Sequence, residues 1–237
     1  RAARAVAEIR RAGRFGVRTA EPEIDFPAVM ERVRRVRADL SPADSTDRFR
    51  KLGVDVFLGE GRFLNDDTVE VHGAKLRFGR CLIATGSCPQ LPDFPGAEHG
   101  ITSNEVFHLE SIPKRVVIAG GGYIANEFAG IFHQFSCDVT LVNRGEQILR
   151  HYDAQIRDRL MQITVMKGID FKFNAPFERV EKGEGGLIIH LKDQAPIEAD
   201  MLLFAIGRVP NTVSAKAWPS RIATGVSWTR SVTSPIG

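Results

Sequence analysis

No run of apolar residues in this chain approaches the roughly 20 that a bilayer-spanning helix needs, so no membrane partner is expected. Neither sign of charge dominates. Lysine and arginine number 32 against 29 aspartates and glutamates, and the net charge of +3 is too small to argue for nucleic acid. The first fifty residues are rich in arginine, but Glu8, Glu21, Glu23, Asp25, Glu31, Asp39, Asp44 and Asp47 are interleaved with it, the pattern of solvated helix faces. Cysteine is scarce. Cys81, Cys88 and Cys137 lack the C-x-x-C spacing of zinc sites, so no metal is expected. Their odd number argues against a disulfide framework and for a reducing, cytoplasmic setting. Low-complexity segments are missing, and so are repeats beyond two similar strand ends, Leu82-Ile-Ala-Thr-Gly86 and Leu203-Phe-Ala-Ile-Gly207.

What is present suits a globular protein. The 237 residues, 43% hydrophobic, suffice for one large or two modest domains with their own cores. Helical spacing marks residues 1–14 and a second helix from an Asp25 cap to about Leu40, and Ser41-Pro42 starts a third that stops at Gly53. Short β runs follow at 54–58, 62–64, 68–71, 75–78 and 81–84, separated by turn signals at Gly59, Asn65-Asp-Asp67 and His72-Gly73. Pro89, Pro92, Pro95 and Gly96 form a stiff connection, a crossing between domains. Beyond it, residues 153–166 are predicted as a helix, 169–173 as a strand, 177–191 as a hairpin around Gly183-Glu-Gly-Gly186, and 201–205 as a last buried strand. After Thr212 a tail rich in Ser and Thr shows neither period.

The most informative stretch is Val116-Val-Ile-Ala-Gly-Gly-Gly-Tyr-Ile-Ala-Asn-Glu-Phe-Ala-Gly130, with a second apolar run beginning near Val139. It reads as strand, glycine turn, helix and strand. Gly120 and Gly122 hold the first two fingerprint positions and Ala125 the third: one permits the tight turn, one lets backbone approach a pyrophosphate, and one lets helix pack on strand. The helix N-terminus then offers free N–H groups to the phosphates. At the end of the second strand, a protein selecting NAD usually places an acid that accepts from the ribose hydroxyls. Here that position is Asn143, followed by Arg144 and Arg150, which can supply charge-assisted bonds to a 2′-phosphate. NADPH is therefore the expected nucleotide. The plainer alternative makes both arginines ordinary surface residues.

The run from Ile112 to Phe132 resembles the NADPH domain of glutathione reductase, in the family of FAD-dependent pyridine nucleotide–disulfide oxidoreductases that also holds mercuric reductase and dihydrolipoamide dehydrogenase. Ala84-Thr-Gly86 and Ala205-Ile-Gly-Arg-Val-Pro-Asn-Thr212 resemble the family's two strand-end turns, and residues 44–63 look closer to its mercuric reductase-like members. The resemblance spans residues 1–212. It implies an α/β fold: a Rossmann-like NAD(P)-binding domain at 111–212, part of an FAD-binding domain of the same two-dinucleotide-binding-domain fold at 1–110, and a divergent tail at 213–237. It implies FAD and NADPH as cofactors, with Gly120, Gly121, Gly122, Tyr123, Ile124, Ala125 and Glu127 lining the pyrophosphate and nicotinamide side. Thr85, Gly86 and Gly61 would touch FAD, and Gly207 would lie near the nicotinamide. Tyr123 resembles the aromatic gate over the flavin, or is simple packing in the first helical turn. Glu127 resembles the carboxylate that pairs with a lysine beside the flavin, or is a solvated helix residue.

The departures bear on activity. The family's amino-terminal glycine motif, its C-x-x-x-x-C redox pair, its later Gly-Asp motif and its His-Pro segment are not in these residues. Cys81 and Cys88 have six residues between them and read as buried or incidental thiols; His133 reads as a helix-end residue and His151 as a loop residue. The expectation is an internal fragment of an NADPH- and FAD-dependent oxidoreductase acting on a disulfide, a small molecule or a metal, with a homodimer formed by the full-length protein and this chain inactive alone. The competing readings are an inert nucleotide-binding fragment and a flavin reductase of the ferredoxin-reductase kind.

Overall fold

The computed structural model describes residues 1–211; the tail from Thr212 onward lies outside the described residues. The elements, in chain order, are α1 (Ala2–Arg11), α2 (Phe26–Leu40), α3 (Thr46–Lys51), β1 (Gly61–Asn65), β2 (Thr68–Val71), β3 (Ala74–Arg77), β4 (Ser87–Pro89), β5 (Ile101–Thr102), β6 (Arg115–Ala119), α4 (Tyr123–Gln134), β7 (Asp138–Val142), α5 (Ala154–Met166), β8 (Asp170–Lys172), β9 (Phe177–Gly183), β10 (Gly186–Leu191), β11 (Ile197–Ala199), β12 (Met201–Phe204) and β13 (Arg208–Pro210). The chain divides into two compact units, one of Arg1–Val33 with Pro89–Gly207, the other of Arg34–Cys88 with the segment from Arg208.

The first unit is built on a five-stranded sheet in the order β5-β12-β6-β7-β8, parallel at every pairing. Side chains alternate across a strand, so each central strand feeds two cores. Val116, Ile118, Val139, Leu141, Met201 and Leu203 face one side, where Ala125, Ala129 and Phe132 of α4 cover them. Val117, Ala119, Val142, Leu202 and Phe204 face the other, under the antiparallel sheet β11-β10-β9 with its buried Val180, Ile189 and Leu191. Burial on both faces is why these strands are continuous apolar runs rather than alternating ones. Helix α1 adds Ala3 and Val6 to the first core, and Phe26 meets Phe135 edge-on at 6.1 Å. Asp25 accepts from the Ala28 N–H at 2.9 Å, the cap its position suggests.

The second unit carries the meander β1-β2-β3, its second turn made by His72 and Gly73, both at positive φ. Two sequence expectations change here. The apolar runs at 54–58 and 81–84 suggest strands, yet neither is one, and Leu82 is 90% exposed. An apolar run becomes a strand only where a partner edge accepts its hydrogen bonds, and none is offered to these runs among the described residues. In the first unit the short strands β5 and β11 escaped the sequence reading, being two and three residues long.

Candidate functional site

Strand β6 delivers the chain to Gly120 at the carboxyl end of the parallel sheet. Its φ is +124°, its N–H donates to the Val142 carbonyl at 2.8 Å, and a Cβ there would lie 2.3 Å from the Ala205 carbonyl oxygen. Only glycine turns here without a clash. The Gly121 carbonyl accepts the Leu149 N–H at 2.7 Å, and a Cβ on Gly121 would press on the Asn143 amide at 3.0 Å. Gly122 is extended and starts α4, and no side chain caps it. The first N–H groups of a helix have no intrahelical acceptor, so among the described residues this turn presents unsatisfied donors. Ala125 is fully buried, which lets α4 lie close to the sheet. Ile124 is half-buried; Tyr123 and Glu127 are exposed, one helical turn apart.

Strand β7 ends beside this turn. The Asn143 N–H donates to the Lys172 carbonyl at 2.8 Å, and its side-chain amide donates to the Gln147 carbonyl at 2.9 Å. Ile148 and Leu149 are buried, and Asp153 caps α5 by accepting from the Gln155 and Ile156 N–H groups. The loop between is thus held at both ends, with Arg144 and Arg150 exposed upon it. Arg150 donates through Nε to His151 Nε2 at 3.0 Å, whereas Arg144 makes no hydrogen bond or ion pair among the described residues. Gly120, Gly121, Gly122 and Asn143 are therefore brought to one sheet edge, with both arginines on the adjoining loop.

Three further residues of this edge make bonds that their place in the sequence does not reveal, Asn126 lying within the expected 120–127 stretch and Gln147 and Arg157 outside it. Asn126 donates through Nδ2 to the Gly121 and Gly122 carbonyls at 3.2 and 2.8 Å, and its Oδ1 is buried without a partner. Arg157 of α5 donates to the Gln147 side chain of the arginine loop at 3.0 Å. The one available signal was a polar residue within an apolar helical run, four residues after the third glycine.

Of the positions expected to touch FAD, Thr85, Gly86 and Gly61 lie in the second unit. The Thr85 hydroxyl donates to the Asn211 carbonyl at 2.5 Å, the Asn211 amide donates back to the Thr85 carbonyl at 3.0 Å, and Gly86 has φ +73°. Gly61 is a strand residue where a Cβ would meet Val69 at an ordinary 3.6 Å, so its conformation makes no demand for glycine. The Thr85 hydroxyl is thus already engaged, and Gly86 and Gly61 offer backbone groups alone. Gly207, in the first unit, has φ +140° and accepts the Gln90 N–H at 2.9 Å.

Reactive groups are few. Cys137 is buried, and desolvation, aided by the nearby Asp138 charge, pushes its thiol up to about 12. Cys81 and Cys88 are exposed free thiols rather than buried ones. His133 sits in the last turn of α4, where burial and then Lys167 lower its proton affinity. Among the described residues no cluster of His, Cys, Asp or Glu could hold a metal ion, and no helix is long and apolar enough to cross a membrane.

A glycine turn between a parallel strand and a helix, beside a second strand end followed by arginines, defines a dinucleotide-binding α/β protein. The family model of the pyridine nucleotide-disulphide oxidoreductases matches residues 18–227, and the chain belongs to that family of oxidoreductases. The mercuric reductase of Lysinibacillus sphaericus is 34% identical over 89% of this chain and 40% of its own length. A glutathione reductase of Nostoc is 42% identical over 68% of this chain and 36% of its own. The chain thus spans about two fifths of the curated relatives it matches. Among solved structures, the HOCl-induced flavoprotein disulfide reductase RclA from Escherichia coli has TM-score 0.69 and 27% identity, over 90% of this chain and 48% of that one. LpdA from Mycobacterium tuberculosis, at TM-score 0.75 and 24% identity over 89% and 48%, shares the fold. FAD and NADPH are the cofactors of the glutathione reductase- and mercuric reductase-like branch.

Proposed function

We propose that these residues form the NADPH-binding arm of an FAD-dependent oxidoreductase, in which hydride passes from NADPH to the flavin and on to a disulfide or metal substrate. The observation that carries this reading is the joined pair of loops: uncapped N–H groups at Gly122 and Tyr123 beside a loop bearing two exposed arginines and no acid in the ribose position. The chemistry of this donor set fits the nucleotide. Gly120, Gly121, Gly122, Ile124 and Ala125 would bring backbone to the pyrophosphate, and Arg144 and Arg150 would bind the 2′-phosphate, with Asn143 leaving that position uncharged. When bound, NADPH supplies the hydride; the chain's own part is to hold and orient it. Tyr123 and Glu127 would border the nicotinamide, Gly207 would lie near it, and Thr85, Gly86 and Gly61 would belong to the flavin side.

The three cysteines do not form a redox pair, so the 237 residues are proposed to bind NADPH without turning it over. Three unpaired thiols suit a reducing, cytoplasmic setting, and a homodimer is proposed for the full-length protein. Domains at 1–110, 111–212 and 213–237 remain the proposed division. Equilibrium titration of the purified chain with NADPH tests the reading; saturable one-to-one binding is expected, and no binding of either NADPH or NADH would overturn it.

A further inference from the structure

We propose that Asn126 is a positioning residue for the dinucleotide pyrophosphate, acting through the carbonyls of the glycine turn; the inference rests on the nucleotide reading above. The Gly121 carbonyl is held by the Leu149 N–H and by Asn126 Nδ2, and the Gly122 carbonyl by the Asn126 N–H and the same Nδ2. In a trans peptide the C=O and the following N–H point in opposite directions. Holding these two carbonyls on the protein side therefore aims the N–H groups of Gly122 and Tyr123 outward, at the place where the phosphates approach. The amide orientation is set by the same contacts, because a flip would aim Oδ1 at two carbonyl oxygens.

Oδ1 is the second observation. It is buried with no hydrogen-bond partner, a position that costs stability in the free protein. A side chain needed only to pack α4 would be better apolar, as the buried Ala125, Ala129 and Phe132 of the same helix are. What offsets that cost is the hold of Nδ2 on the two carbonyls, and the gain appears when an anion meets the aimed N–H groups.

The test uses Asn126→Leu and Asn126→Ala in the full chain, titrated with NADPH, NADH and adenosine 2′-monophosphate, with thermal melting of each unliganded variant. Pyrophosphate is common to both dinucleotides and absent from the third ligand. NADPH and NADH are expected to weaken by the same factor, on the order of tenfold, while adenosine 2′-monophosphate binding and the 2′-phosphate preference stay unchanged. The unliganded melting temperature is expected to hold or rise. Unaltered dinucleotide affinity in the variants overturns the inference. So does a parallel loss of all three ligands with a lower melting temperature, or failure of both variants to fold, since each makes Asn126 a purely structural support. A wild-type chain that binds neither dinucleotide fails the nucleotide reading itself and takes this inference with it.

Discussion

The Gly121 carbonyl accepts the Leu149 N–H at 2.7 Å, and this bond joins two loops that lie 28 residues apart in sequence. The first ends β6 and the second ends β7, which are parallel neighbours pairing Ala119 with Val142. Parallel strands put both carboxyl ends on one edge, so a turn with free N–H groups and a loop with two arginines meet there. That shared edge is the physical basis of the proposed nucleotide site.

Replacing Arg144 and Arg150 together by alanine removes two charge-assisted bonds to the nucleotide, each held by solvent exposure to about 1.5 kcal/mol. NADPH affinity is expected to fall by tens to hundreds of fold, on the order of 10²-fold, with NADH binding spared. Both arginines are exposed, so the fold is expected to survive. Calorimetric titration reads the difference, and equal losses for the two nucleotides would sink the assignment.

Gly120→Ala and Gly61→Ala are expected to part company. The first forces a Cβ to 2.3 Å from the Ala205 carbonyl at φ +124°, which no rotamer relieves. A loss of about 2 kcal/mol or more follows, together with nucleotide binding. Gly61 has room for a methyl group, and its substitution is expected to stay within about 0.5 kcal/mol. Chemical denaturation of both variants checks the contrast; a Gly120→Ala chain as stable as the wild type would refute it.

The acid limb of stability is expected to involve Asp200. Its carboxylate accepts from the Arg115 guanidinium and from the Lys114 and Arg115 N–H groups, and these bonds, Arg115 foremost, hold it below the ordinary 3.8. A folded value below the unfolded one gives stability that is present above about pH 4 and lost as pH falls through the folded value. Melting curves of wild type and Asp200→Asn should differ at neutral pH, begin to converge near about pH 4 and meet only below the folded value. A gap that persists unchanged at the acid end would count against the Arg115 pairing.

Thiol accessibility gives a further check. Cys81 and Cys88 are exposed, while Cys137 is buried with its thiol pushed up to about 12. Since the thiolate is the nucleophile, alkylation of the native chain near neutral pH is expected at the first two cysteines only. Mass spectrometry after brief labelling should find Cys137 modified only when the chain is unfolded first; native labelling at Cys137 would contradict the packed core.

Much of this site is legible in order along the chain. The four apolar residues before Gly120, the small residue at Ala125, the Asp153 cap and the Gly183–Gly186 hairpin all act over a few residues, where sterics and period decide. Residues 54–58 and 81–84 show the limit. Their apolar content suggested strands, but a strand depends on a partner edge, and that is not written in the run itself.

By itself, then, the sequence determined a glycine turn between strand and helix, a second strand end without an acid, and arginines just beyond it. Those features depend on local conformation and on residue chemistry. Only the tertiary structure decided that Leu149 latches to Gly121, that Asn126 spends its amide on two glycine carbonyls, and that Arg157 of α5 donates to Gln147 of the arginine loop. These bonds join groups whose meeting depends on strand order, burial and backbone direction, and none of those is a property of any short stretch of chain.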